Sequence, residues 1–115
     1  MYSQRPFVDR FRESNEIRRR YPDKTPVIIE RAQIAKDMPY IKKNRYLVPG
    51  TFTFGQFIYV IRRQLELPSD KALFIFVDNT LVPTSTFMSE IYKEYMSPDG
   101  FVYMRYTGES TFGTR

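Results

Sequence analysis

Two residue types that carry much side-chain chemistry are missing: the 115-residue chain has no His and no Cys. Without them there is no imidazole base, no thiol nucleophile and no soft ligand for zinc. The 13 Asp and Glu residues are dispersed rather than gathered at calcium-loop spacing. Gly50 and Gly55 are isolated from each other and from any Gly-Lys-Ser/Thr, so there is no phosphate-cradling loop. We therefore expect no catalytic centre, no metal and no organic cofactor. One conspicuous feature remains, and it lies in the backbone. The stretch "MRYTGESTFGTR", residues 104–115, sets Gly113 after Phe112, with only Thr114 and Arg115 following. A helix cap or a tight turn needs chain on both sides of its glycine, so this one needs another explanation.

The elements that carry the tail follow from apolar spacing. Phe7, Phe11, Ile17 and Tyr21 recur near helical spacing over "FVDRFRESNEIRRRY", with Pro6 suited to the first helical position and Pro22 as a stop. This predicts an amphipathic helix over residues 7–21. The β-branched run Thr25–Arg31 predicts a strand, and Arg45–Pro49, "RYLVP", a second. Thr53 is placed to cap a helix through Leu65, with Phe57, Ile61 and Leu65 on one stripe. Leu73–Val77 predicts a third strand, followed by a turn at Asp78–Asn79 and a brief return strand. Ser85 or Thr86 is expected to cap a helix carrying Phe87, Ile91 and Tyr95, and Phe101–Tyr106 forms the last strand.

No repeat, low-complexity stretch or linker divides the chain, so one domain is expected. No apolar run approaches the ~20 residues of a membrane span, and "MYSQRPFVDRFR" lacks a signal-peptide core. With no Cys for disulfides, the expected address is cytosolic or nuclear. Charge is uneven: residues 1–50 carry 12 Lys/Arg against 6 Asp/Glu, and residues 51–115 carry 6 against 7. A basic first half suits acidic partners or serves as a solvated face. RNA binding fits less well. "DGFVYMRY" is superficially similar to an aromatic RNA-binding strand, but Asp99 stands where Lys or Arg should precede the glycine.

A two-strand hairpin, a helix and two further strands point to a mixed sheet around one helix, its first and last strands paired in the middle. That is α+β, the ubiquitin-like β-grasp: a four-stranded mixed sheet around a helix, here with extra N-terminal helices. The expected layout is a helical segment over 1–22, a core over 23–106 and a flexible tail over 107–115.

Several blocks carry a closer resemblance: "PFVDRFRESNEIRRRYPDKTPVIIERA", "RYLVP", "GQFIYVIRRQL", "FIFVDNTLVPTS", "SEIYKEY", "DGFVYMRY" and "STFG". In order and at matching spacing, they resemble the ubiquitin-like modifiers of autophagy, the family that includes GABARAP. The resemblance implies that a processing cysteine protease cuts after Gly113, with Phe112 as an apolar anchor. Activating and conjugating enzymes then join the glycine to phosphatidylethanolamine on the autophagosome membrane. It also implies capture of aromatic-x-x-aliphatic peptides of cargo receptors and adaptors on the edge strand "RYLVP". Alternation sends Arg45, Leu47 and Pro49 to one side and Tyr46 and Val48 to the other.

By the same resemblance the aromatic pocket comprises Glu13, Ile17, Pro26, Ile28, Arg45, Leu47 and Phe101. The aliphatic pocket comprises Tyr46, Val48, Pro49, Phe52, Phe57 and Val60. Lys24 and Arg62 join Arg45 as basic groups beside acidic residues of the peptide, while Phe74 and Phe76 meet the conjugation machinery. Thr25 departs from the family pattern, in which an apolar residue is common. A soluble adaptor that binds peptides without conjugation remains the alternative. In either case the protein is a substrate or a binder, not an enzyme.

Overall fold

The computed structural model describes residues 4–109. Its elements run α1 (Phe7–Arg20), β1 (Lys24–Arg31), β2 (Arg45–Pro49), α2 (Phe54–Leu65), β3 (Phe74–Val77), α3 (Met88–Tyr95) and β4 (Val102–Thr107). The strands form one sheet in the order β2-β1-β4-β3. β1 and β4 are parallel, with Ile28 opposite Tyr103 and Ile29 opposite Met104, and the two outer pairs are antiparallel. The first and last strands thus meet at the centre, as a β-grasp requires. Thr25 through Ile29 are all buried, because a central strand flanked by helices on both faces has no solvent side. β2 at the edge alternates instead, with Tyr46 and Val48 buried and Arg45 and Leu47 exposed.

One face of the sheet carries the main core, in which Val27, Ile29, Ile75, Val102, Met104 and Tyr106 pack with Phe54, Phe57 and Ile61 of α2 and Met88 and Ile91 of α3. A smaller cluster on the other face joins Ile17 of α1 to Ile28, Phe101 and Tyr103. Buried Thr25 fits because its hydroxyl donates to the Met88 carbonyl at 3.3 Å. The start of α2 is a reciprocal cap: the Gln56 amide donates to Thr53 Oγ1 at 3.2 Å, and the Thr53 amide to Gln56 Oε1 at 2.8 Å.

Four local expectations are corrected. Phe7, Phe11 and Tyr21 are 49%, 43% and 42% exposed, so the apolar periodicity of α1 does not mark its buried face. The helix turns Ser14 and Ile17 inward, and the Phe7 and Phe11 rings stack on each other with centroids 6.0 Å apart. Pro6 sits at the cap position rather than inside the helix. The return strand after β3 shrinks to a bridge between Val77 and Thr80, because Asp78 and Asn79 both take positive φ, 51° and 62°, in a two-residue hairpin turn. Neither Ser85 nor Thr86 caps α3; Phe87 holds that position and its amide donates to Glu90 Oε1 at 2.9 Å. Among the described residues one α-helix precedes β1. Phe112 and Gly113 lie outside them.

Gly100 closes the turn before β4 with φ +92°. A Cβ there would run into the Ser14 hydroxyl and lie 2.9 Å from Ser14 Cβ. Gly100→Ala should therefore destabilise the fold by about 3 kcal/mol in urea titration, and Ser14→Gly should recover part of that loss.

Candidate peptide-binding face

The arrangement begins with Asp99, whose side chain is 1% exposed. Its Oδ1 accepts from Ser97 Oγ at 2.6 Å and from the Phe101 amide at 3.0 Å. Its Oδ2 accepts from Arg10 at 2.6 Å and from the Tyr103 hydroxyl at 2.5 Å. The Asp99 carbonyl accepts from Ser14 Oγ, itself fully buried. Burial pulls the Asp99 carboxyl upward, but the bonds from Ser97, Tyr103, the Phe101 amide and Arg10 outweigh it and hold it below its ordinary 3.8. Burial, reinforced by Asp99, pushes Tyr103 up to about 12. The network matters because Ile17 is the only apolar residue that α1 buries. Ser14 and Arg10, one and two turns earlier, supply the rest of its attachment.

So held, α1 runs beside β2. Glu13 receives Arg5 at 2.9 Å and also pairs with Arg45, an ion pair that spans from α1 to the edge strand. Leu47, 36% exposed, lies on the same side of β2 as Arg45. Ile17, Ile28 and Phe101 form one cluster beneath and are 8%, 0% and 0% exposed. Pro26 is buried in β1, opposite Leu47. The seven residues expected at the aromatic site therefore sort into a charged rim, an exposed apolar wall and a closed floor.

The aliphatic set divides differently. Tyr46, Val48 and Phe57 belong to the main core at 8%, 4% and 1% exposure, and the Tyr46 and Phe57 rings meet edge to face at 5.8 Å. The Tyr46 hydroxyl is buried and has no hydrogen-bond partner among the described residues. Pro49, Phe52 and Val60 are only partly buried. Phe52 and Val60 open onto a depression of about 580 Å³ shared with Thr53, Gly55, Gln56, Tyr59, Thr84 and Ser85.

Lys24 opens β1 opposite Pro49 and is partly exposed. Arg62 is engaged elsewhere, donating to the carbonyls of Pro68 at 3.3 Å and Lys71 at 2.8 Å. Phe74 and Phe76 lie on β3, the edge opposite β2. Phe76 lines a cavity of about 230 Å³ with Arg10, Glu30, Asp78, Asn79, Tyr103 and Arg105. Sequence reasoning missed the Asp99 network, because "SPDG" reads only as a turn. It also missed the Tyr59 depression, since nothing in a helix's sequence shows which loop lies over its first turn. No group of His, Cys, Asp and Glu among the described residues could hold a metal ion, and none of their helices is long and apolar enough to cross a membrane.

A parallel pairing of first and last strands, with α2 against one face and an added helix on the other, defines a ubiquitin-like β-grasp protein with an N-terminal helical extension. A family model described as "Autophagy protein Atg8 ubiquitin like" matches residues 9–113. Autophagy-related protein 8a of Arabidopsis thaliana is 51% identical over 109 residues, covering 95% of this chain and 88% of its own. Autophagy-related protein 8c of the same plant is 53% identical over 108 residues, covering 94% and 90%. Autophagy-related protein 8B of Oryza sativa subsp. japonica is 54% identical over 101 residues, covering 88% and 84%. The chain belongs to the Atg8 family and is a ubiquitin-like modifier of autophagy.

The Asp99 network makes a pH-dependent contribution. Because the carboxyl is held below its ordinary 3.8, the stabilisation is fully present above that value and is lost as pH falls through the lower folded-state value. Asp99→Asn should cost about 3 kcal/mol at pH 7. Its deficit against the parent chain in urea titrations should narrow steadily below about pH 4.

Proposed function

We propose that the chain is cut after Gly113 by a cysteine protease, then activated and conjugated through that glycine to phosphatidylethanolamine. On the autophagosome membrane it recruits cargo receptors and adaptors through aromatic-x-x-aliphatic peptides. Before lipidation its place is the cytoplasm. Two acyl chains suffice for stable anchoring without a membrane-spanning helix. Glycine suits the conjugation steps because it puts no side chain into narrow catalytic clefts. The match to the family model reaches Gly113, which supports the assignment of the reactive carboxyl to that residue.

The observation that carries peptide capture is the state of β2. Among the described residues it is an edge strand with β1 as its only neighbour in the sheet, and it presents Leu47 rather than a protective charge at its middle. A peptide added as a further strand gains main-chain bonds along β2. Its aromatic anchor enters between α1 and β2 past Glu13 and Leu47, and its aliphatic anchor rests against Pro49, Phe52 and Val60. Lys24 and Arg45 favour acidic flanks, an effect on encounter rate more than on affinity. Phe74 and Phe76, on the opposite edge, leave the conjugation enzymes a separate surface.

Intact mass of the protein from its own cells tests conjugation. Loss of Thr114 and Arg115, with phospholipid mass added on starvation, is expected; Gly113→Ala should keep both residues and gain no lipid. A parent chain that keeps both residues in all conditions sinks conjugation and leaves a peptide-binding adaptor. For the groove, Leu47→Arg should weaken a Trp-x-x-Leu peptide by at least about tenfold in fluorescence anisotropy, with the urea midpoint almost unchanged because the side chain is already exposed.

A further inference from the structure

We propose that the depression beside Tyr59 is an additional subsite of the peptide groove. It would take an aromatic or large aliphatic side chain roughly two to four residues beyond the aliphatic anchor, at about 3.3 Å of strand per residue. This rests on the peptide-binding reading above.

Direction is the first argument. The aromatic site lies at the start of β2, where Arg45 and Leu47 meet α1, and the aliphatic site lies past its end, at Pro49, Phe52 and Val60. A peptide whose aromatic anchor comes first must run parallel to β2. The residues after its aliphatic anchor then leave past Phe52 toward the first turn of α2.

The second argument is continuity. Phe52 and Val60 are the open wall of the aliphatic site, and both also line the depression. No boundary separates the two, and a chain that has filled one is delivered to the other.

The third argument concerns what the depression can hold. It sits at a helix N-terminus, a place that commonly attracts anions, but here the first donors are already engaged. The Phe54 amide donates to the Thr86 carbonyl at 2.7 Å, Gly55 to Thr84 at 2.9 Å, and Gln56 to Thr53 Oγ1 at 3.2 Å. An anion would find no free amide there. An apolar group finds the Tyr59 ring, 60% exposed, beside Phe52 and Val60. Gly55 keeps the wall low: a Cβ on it would meet the Thr84 side chain at 3.3 Å. Residues 54–61 carry no charge, and the first charged group along α2 on this side is Arg63, whose guanidinium lies 5.9 Å from the Tyr59 ring centroid. An acidic residue after the third anchor is therefore favoured.

The test uses the full chain and two synthetic peptides, one a Trp-x-x-Leu core and one the same core followed by a Gly-Ser spacer, a Trp and an Asp, which puts the added Trp three residues beyond the Leu. In fluorescence anisotropy the extended peptide should bind about tenfold more tightly, the scale of one buried aromatic. Tyr59→Ala should abolish that gain and leave the core peptide unchanged, whereas Leu47→Arg should weaken both. Equal affinity of the two peptides for the parent chain overturns the subsite while leaving the groove intact, as does a gain that survives Tyr59→Ala. Failure of the core peptide to bind takes the groove and the subsite down together. A concentration-dependent dimer in sedimentation, lost in Tyr59→Ala and without any peptide gain, assigns the depression to a second copy and also overturns the proposal.

Discussion

A carboxylate with 1% of its surface in water stays charged inside a protein only if the protein replaces most of its hydration. Around Asp99 that replacement comes from a hydroxyl, an amide, a guanidinium and a phenol, drawn from α1, the turn and β4. The position of α1 depends on this arrangement. A helix that buries one apolar side chain, Ile17, gains too little from packing to stay docked at a fixed angle. The polar network supplies the angle, and with it the height of Glu13 above β2. The rim of the candidate aromatic site is thus set by a residue that no peptide touches.

Charge distribution on α1 follows the same division. Glu16 pairs with Arg19 and with Arg20, the latter at 3.2 Å, on the solvent side, where such pairs contribute little. Arg10, 17% exposed against its buried partner, is a different kind of arginine although the sequence spells both alike. Among the six arginines of the first twenty residues, only burial separates a structural one from a solvating one.

Much of the architecture was legible because local and global signals agree. Thr53 and Gln56 announce the start of α2, and Glu66, in left-handed conformation at φ 54°, ends it where the apolar stripe stops. The β-branched run of β1 marks a strand buried on both faces, and the alternation of "RYLVP" marks an edge. At α1 the argument from periodicity alone failed. Phe7 and Phe11 fall at helical spacing, yet their helix docks through Arg10, Ser14 and Ile17, and no scale of hydrophobicity ranks an arginine and a serine above two phenylalanines. Asp99 was hidden for a related reason: its partners lie 89 positions away in Arg10 as well as within its own turn. At the candidate site, resemblance supplied the residue set, and the structure sorts it. Ile28, Phe101, Tyr46, Val48 and Phe57 are packed interior, whereas Leu47, Phe52 and Val60 offer surface.

The pairing of β1 with β4 also governs when the protein can exist. In the order β2-β1-β4-β3, β3 has no neighbour but β4 among the described residues, and the hairpin of β1 and β2 is joined to it only through Val102–Thr107 between them. Closing that gap joins residues some seventy positions apart, a slow step for a chain that must first lose the entropy of the loop. On a ribosome, the earlier strands must wait for Val102–Thr107 to be made before the sheet closes. Until then the nascent chain carries unfinished sheet edges, the condition that favours aggregation.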